Sequence, residues 1–461
     1  MTTASWRYMS SPRPILDAEL DISRQDEAVS CPVSYLVVTY LLLAPMLLFA
    51  VHGGFSFEHA SWNSDLGAVG GKVAVVDTSA ESLQERIQSW TALCLCVGAM
   101  LPYLRRIGGV GQQMPLMLLL PLYAIASACW SQDPMLSLRS GLSLLVDTLF
   151  AFYLAARFSH RQQMDLIMVT GACVAALSIA LALFWPQFGV DHQLHEGAWQ
   201  GLFTQKNVCA ESMLFLLTPA FAFTSRGRYG QVLRAAYVVL CLLVILMTQS
   251  RTGWAMTLCY LGFIGTLRAL GSFARKDLLP IVGIAFAAFA SAITVMIQYP
   301  LILLSLLSRS DTLSGRAQIW GAVTASILRQ PIGGYGFDAF WSLLHDEASR
   351  VFAATGWVVT SAHNGFLNVT LELGLVGFVL VAATFVQAFR HASAAFHPRR
   401  SAYVDWCTGI VFLTLVYNLD ERTLMATQYL PWILYVVACT GLANAARSRE
   451  QSWIAVVEDM S

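Results

Sequence analysis

Long apolar runs separated by short polar intervals recur along the chain, and one interval, roughly Pro300 to His363, breaks the rhythm. A membrane-crossing helix needs about twenty apolar residues, which predicts about twelve spans. They fall at 31–51, 88–104, 113–130, 137–157, 163–185, 207–224, 232–249, 252–269, 277–298, 364–388, 402–420 and 426–445. The resulting organisation is an N-terminal tail over 1–30, nine spans over 31–298, a large loop over 299–363, three spans over 364–445 and a C-terminal tail over 446–461. Within the large loop, Ser314 or Asp311 can cap a helix running to about Arg329, because Ile319, Val323 and Ile327 recur every fourth residue and Pro331 follows. A second amphipathic helix is predicted after the Gly333-Gly334-Tyr335-Gly336 turn, with Phe337, Phe340, Trp341 and Leu344 on one side. Helices rich in Trp and Phe and flanked by Arg lie at a membrane boundary, where these two would roof a cavity.

Composition agrees with a polytopic membrane protein: 56% of the 461 residues are hydrophobic, 12% are charged, and the mean hydropathy is +0.59. The net charge is zero and the basic residues are dispersed, so there is no electrostatic footprint for nucleic acid. Ten cysteines lie inside or at the ends of apolar runs and read as small buried hydrophobes. Lys and Arg concentrate in cytoplasmic loops. Arg105 and Arg106, Arg157 and Arg161, Arg226 to Arg234, Arg268 to Lys276, Arg390 to Arg400, and Arg447 with Arg449 all fall on one side of the predicted topology. Both termini are therefore expected in the cytoplasm, and the large loop outside. The first span is too long for a signal-peptide core.

That topology gathers four polar clusters at outward helix ends: Gly201 to Asn207, Gln249 to Gly253, Gly315-Arg316, and His363-Asn364. Arg251 interrupts an apolar tract, so it is either a snorkelling anchor or an anion ligand whose planar fork fits phosphate oxygens. Arg316 and Lys206 add positive charge on the same side and suit a diphosphate leaving group. His363 can be a general base toward a hydroxyl nucleophile, or a capping or core histidine. Asn364 can orient its ring or bind a substrate hydroxyl. Glu372, deeper in the following helix, either pairs with a nearby cation structurally or takes part in catalysis, and the structural role is favoured. Asp191, His192, His195 and Glu196 could suggest a metal, but Pro186, Gly189 and Gly197 argue for irregular structure, and no metal is expected.

These motifs also resemble those of a known family. Phe203 to Asn207, Ser250-Arg251-Thr252-Gly253, Gly315-Arg316 with Ile319-Trp320, Pro331 with Gly333-Gly334-Tyr335-Gly336, and His363-Asn364-Gly365-Phe366-Leu367 with Glu372 to Gly377 resemble the O-antigen ligase and polymerase superfamily. The similarity is greatest to exopolysaccharide polymerases of the ExoQ type, over about 90–445. The resemblance implies an all-α polytopic membrane protein, GT-C-like, with about 12 transmembrane helices and a large periplasmic loop carrying amphipathic helices between the ninth and tenth. It implies a bacterial inner-membrane glycosyltransferase that inverts the anomeric carbon and uses neither metal nor cofactor. Arg251, Arg316 and His363 match the family's functional set; Lys206, Asn207, Asn364, Gln205 and Glu421 stand as substrate-binding candidates. Gln205 occupies a position that is often His in relatives, and Glu421 stands where relatives often carry an acid.

The function expected on this basis is a polysaccharide polymerase. It would transfer glycan from undecaprenyl diphosphate to the sugar hydroxyl of another lipid-linked repeat on the periplasmic face. Both lipid-linked oligosaccharides and membrane lipid are expected partners, with a chain-length regulator and export proteins beside them. A ligase acting on lipid A-core or protein shares the same donor half. A transporter or flippase for lipid-linked sugars is the alternative from another class, and Asp147, in the middle of the fourth span, is the residue that favours it.

Overall fold

The computed structural model describes residues 46, 83–192, 196–222, 227–271, 316–341, 346–356, 358–396 and 401–459. Among these the chain is helical, and its one β feature is an isolated antiparallel bridge between Val190 and Trp199. In chain order the principal helices are α1 (Leu83–Met100), α2 (Leu104–Gln113), α3 (Pro115–Ala126), α4 (Pro134–Arg157), α5 (His160–Phe184), α6 (Lys206–Leu217), α7 (Arg228–Met247), α8 (Arg251–Gly271), α9 (Arg316–Arg329), α10 (Asp346–Thr355), α11 (Gly365–Ala395), α12 (Ala402–Tyr417) and α13 (Leu430–Asp459). Five stretches are long and apolar enough to cross a membrane: Trp90–Gln113, α4, α5, α7 and α11. The apolar helices Pro115–Cys129 and α12 are shorter. The architecture is that of a helical multi-pass membrane protein. The expected span at 277–298, nearly all of that at 31–51, and the caps Asp311 and Ser314 lie outside the described residues.

The helices are sorted by what surrounds them. On α4, Ser137, Ser140, Asp147 and Thr148 are buried, whereas Met135, Leu138 and Leu142 are exposed. An apolar solvent tolerates Leu on the outside, while polar groups need protein partners. α13 packs against α4, α11 and α12 at the centre. From Leu430 to Ala443 it is buried on every side, as an apolar helix with no polar face should be. The expected span at 207–224 is interrupted: α6 ends at Leu217 and a single turn, Pro219–Ala222, follows. At the end of α11 remote from His363, Arg449 donates to the carbonyls of Ala394 and Phe396.

α11 is broken at Gly374 (φ 66°, ψ −169°), and the large loop fills the break. Tyr335 and Gly336 N–H donate to the carbonyls of Leu371 (3.1 Å) and Glu372 (2.9 Å), and Leu375 N–H donates to Pro331 (2.7 Å). Tyr123 Oη donates to the Leu373 carbonyl at 3.3 Å. Backbone groups freed by the break are thus satisfied within the protein, the condition for non-helical chain at membrane depth. A Cβ on Gly374 would lie 2.0 Å from the Ile332 carbonyl oxygen, so only glycine fits.

One expectation needs correction. Phe337, Phe340 and Trp341 do not form an amphipathic helix; 331–341 is a series of turns and bends, and helix resumes at α10. Gly336 (φ 102°) and Asp338 (φ 60°) take left-handed backbone, which a helix cannot accommodate. Phe337 enters the main core, while Phe340 joins a smaller core with Ile319 and Val323 of α9, Val351 of α10 and Leu371 of α11. The large loop therefore has its own hydrophobic centre, seated on α11. Leu344 lies outside the described residues.

Candidate functional site

The start of α11 is held against the loop between α12 and α13. Asn364 caps the helix by accepting from Leu367 N–H (3.0 Å), and its amide nitrogen donates to the Leu419 carbonyl (3.1 Å). Gly365 N–H donates to the carbonyls of Asn418 (2.9 Å) and Glu421 (3.1 Å). A Cβ at Gly365 would stand 1.9 Å from Asn418 Oδ1, an approach only glycine permits. The loop itself winds round the Asn418 side chain, whose Oδ1 accepts from Thr423 and Leu424 N–H and whose Nδ2 donates to Thr414. Asp147, fully buried on α4, accepts from Gln428 N–H near the loop's end. This contact gives Asp147 a structural task.

That scaffold presents Glu421 to two partners. Its Oε2 lies 3.0 Å from His363 Nδ1, and its Oε1 accepts from Arg316 Nη2 at 2.9 Å. Arg316 Nη1 also donates to the Asp420 carbonyl oxygen (2.9 Å) and to the Asp420 carboxylate. Asp420 is fully buried and accepts from Thr252 Oγ1 at 2.7 Å. Beside Thr252, Ser250 Oγ donates to Asn207 Oδ1 (2.9 Å) and accepts from Gly253 N–H (3.1 Å). A polar network built on the four sequence clusters thus links α6, α8, α9, the start of α11 and the loop after α12. His363 takes positive φ (45°), strained for a non-glycine residue and characteristic of functional positions.

The charges are unevenly committed. Arg316 is neutralised by two carboxylates. Arg251, at the head of α8, is exposed and has no carboxylate partner among the described residues. Lys206, at the head of α6, feels the charge of Arg251; burial lowers its pKa, Asp191 opposes that, and Arg251 adds to it. Burial pushes the Glu421 carboxyl up, but its bond to His363 and the charges of His363 and Arg316 outweigh this and hold it below the usual carboxylate range. Burial raises Asp420 despite Arg316. Lys206 and Arg251 join the network through their chain neighbours: Asn207 bonds Ser250, and Thr252 bonds Asp420, the residue before Glu421.

Not every candidate joins this network. Gln205 is exposed, occupies the N-cap position of α6 and makes no side-chain capping bond. Glu372 pairs with a cation as expected: its Oε2 lies 3.4 Å from Arg422 Nη2 and its Oε1 accepts from Asn368 at 2.7 Å. His195, of the weighed metal cluster, lies outside the described residues. Sequence reasoning did not single out Asp420; the run Asp420-Glu421-Arg422 between two apolar helices was the available signal.

Comparison with known proteins agrees in its coarse outline. Residues 236–382 match the family described as O-antigen ligase, an interval containing Arg251, Arg316 and His363. The chain is 26% identical over 283 residues to the exopolysaccharide production protein ExoQ of Rhizobium meliloti (strain 1021), covering 58% of this chain and 62% of that protein. The chain thus matches less than two thirds of that relative's length.

Proposed function

We propose that this chain, whose residues 236–382 match the O-antigen ligase family, is a polysaccharide polymerase acting on lipid-diphosphate-linked glycans. The observation that carries this reading is the contact of Glu421 with both His363 and Arg316, in a network that Thr252 and Asn207, the chain neighbours of Arg251 and Lys206, also enter. With Nδ1 donating to Glu421, neutral His363 keeps a lone pair on Nε2. That nitrogen takes the proton from the acceptor sugar hydroxyl as the oxygen attacks the anomeric carbon. Glu421 then stabilises the imidazolium, a division of labour worth about 10² to 10⁴ in rate.

The bond from the anomeric carbon to the diphosphate oxygen breaks in the same displacement, which inverts that carbon. Negative charge develops on the departing lipid diphosphate, and Arg251 with Lys206 stabilises it electrostatically. Arg316 keeps Glu421 ionised and aimed at His363. Two carboxylate pairings stand between Arg316 and the diphosphate contact that sequence reasoning expected of it. The proposed setting is the bacterial inner membrane, with this site on the periplasmic face and both termini in the cytoplasm.

The family description favours a second reading, a ligase with the same donor half. Purified protein supplied only with lipid-linked repeats separates the two. A ladder of lengthening glycan is the expected outcome; transfer that appears only when a lipid A-core acceptor is added establishes the ligase.

A further inference from the structure

The three segments that meet at the catalytic pair meet a second time, with the charges reversed. α9 and the turns after it supply Arg316 and Asp338, the α11 segment supplies His363 and Glu372, and the loop after α12 supplies the neighbours Glu421 and Arg422. In the first triad a central acid, Glu421, joins Arg316 and His363. In the second a central base, Arg422, joins Asp338 (3.1 Å) and Glu372 (3.4 Å). The remaining carboxylate oxygens are also engaged. Ser140 of α4 donates to Asp338 Oδ2 at 2.9 Å, and Asn368 donates to Glu372 Oε1 at 2.7 Å. Asn368 Oδ1 in turn accepts from Trp341 Nε1 (3.0 Å) and from Ala362 N–H (3.3 Å), the residue before His363. The second triad thus reaches the backbone on either side of the catalytic pair.

We propose that Arg422 is a positioning residue for this reaction: by tying Asp338 to Glu372 it sets the register of three chain segments, so that the adjacent Glu421 meets His363 and Arg316 together. Glu372 is 1% exposed, and a buried carboxylate left without its cation destabilises whatever geometry it sits in. Tenths of an ångström matter at such a site, because proton transfer needs hydrogen-bond contact. The inference rests on the glycosyl-transfer reading above for its kinetic consequence, and on geometry alone for its structural one.

The test compares purified full-length wild type with Arg422→Ala, Arg422→Lys and Asp338→Asn. In Arg422→Ala, kcat is expected to fall at least about thirtyfold while the donor KM stays within about twofold, because ground-state binding at Arg251 and Lys206 is untouched. Arg422→Lys restores much of kcat. Asp338→Asn, at a side chain 30% exposed, shifts kcat in the same direction by less, and serves if Arg422→Ala does not fold. Imidazole ¹⁵N spectra of His363 supply a readout independent of activity: wild type shows the Nδ1–H tautomer, and Arg422→Ala loses it. An unchanged tautomer, or Lys no better than Ala, overturns the proposal. A wild type inert toward every lipid-diphosphate donor would refute the glycosyl-transfer reading, and the tautomer comparison would still decide the role of Arg422.

Discussion

Glu421 Oε2 stands 3.0 Å from His363 Nδ1 across 58 positions of sequence, and the other oxygen of the same carboxylate is held by Arg316. One carboxylate therefore fixes the tautomer of the base and is itself fixed by a cation. Glu421→Gln retains the shape but removes the charge that stabilises the imidazolium. The expected result is a loss of about 10² or more in kcat with the donor KM little changed, measured by steady-state elongation.

Acid should act through the same residue. The folded-state pKa of Glu421 lies below the ordinary carboxylate value, since the bond and charge of His363 and the charge of Arg316 outweigh burial. Its contribution to stability is present above the unfolded value of about 4.3 and is lost as pH falls through the lower folded value. Thermal melts across the acid range should show Glu421→Gln less destabilised by acid than wild type. A variant that loses stability in parallel with wild type would count against this linkage.

Two glycines test the scaffold. Gly374→Ala places a Cβ 2.0 Å from the Ile332 carbonyl at positive φ, and Gly365→Ala places one 1.9 Å from Asn418 Oδ1. Each should cost at least about 1–3 kcal/mol, read as a lowered melting temperature in detergent or nanodiscs. Gly365→Ala should also reduce activity beyond its effect on folded protein, because it pushes the start of α11 from Glu421.

Asp147 separates enzyme from transporter. Its Oδ2 accepts from Gln428 N–H, a bond that an asparagine side-chain oxygen can also accept. Asp147→Asn is expected to keep activity within about threefold, whereas Asp147→Leu leaves the buried donor unmatched and costs about 1–3 kcal/mol. Abolished function in Asp147→Asn, with Arg251, Arg316 and His363 tolerant of substitution, would favour transport.

How much of this was legible in the sequence varied with the range of the interaction. His363, Arg251 and Arg316 stood out because charge at the end of an apolar run is conspicuous without knowing what it touches. The break in α11 was not visible, because the groups that satisfy it come from far along the chain: Pro331 to Gly336, some forty positions earlier, and Tyr123. Phe337, Phe340 and Trp341 share the spacing of a helical face. The left-handed backbone of Gly336 and Asp338 sends Phe337 and Phe340 into separate cores instead. The sequence places Asp420 at the end of the span 402–420 and gives it no role, since an acid announces its partners only when Thr252 and Arg316 are seen beside it.

The most direct measurement is the rate at which purified protein elongates glycan when lipid-linked repeats are the sole substrate, for wild type, Arg251→Ala and His363→Ala, each first shown to be folded. Wild type should build a ladder, with elongation lowered by about 10² or more in both variants. If either variant elongates within about threefold of wild type, a base at His363 and a diphosphate held at Arg251 are not how this protein works.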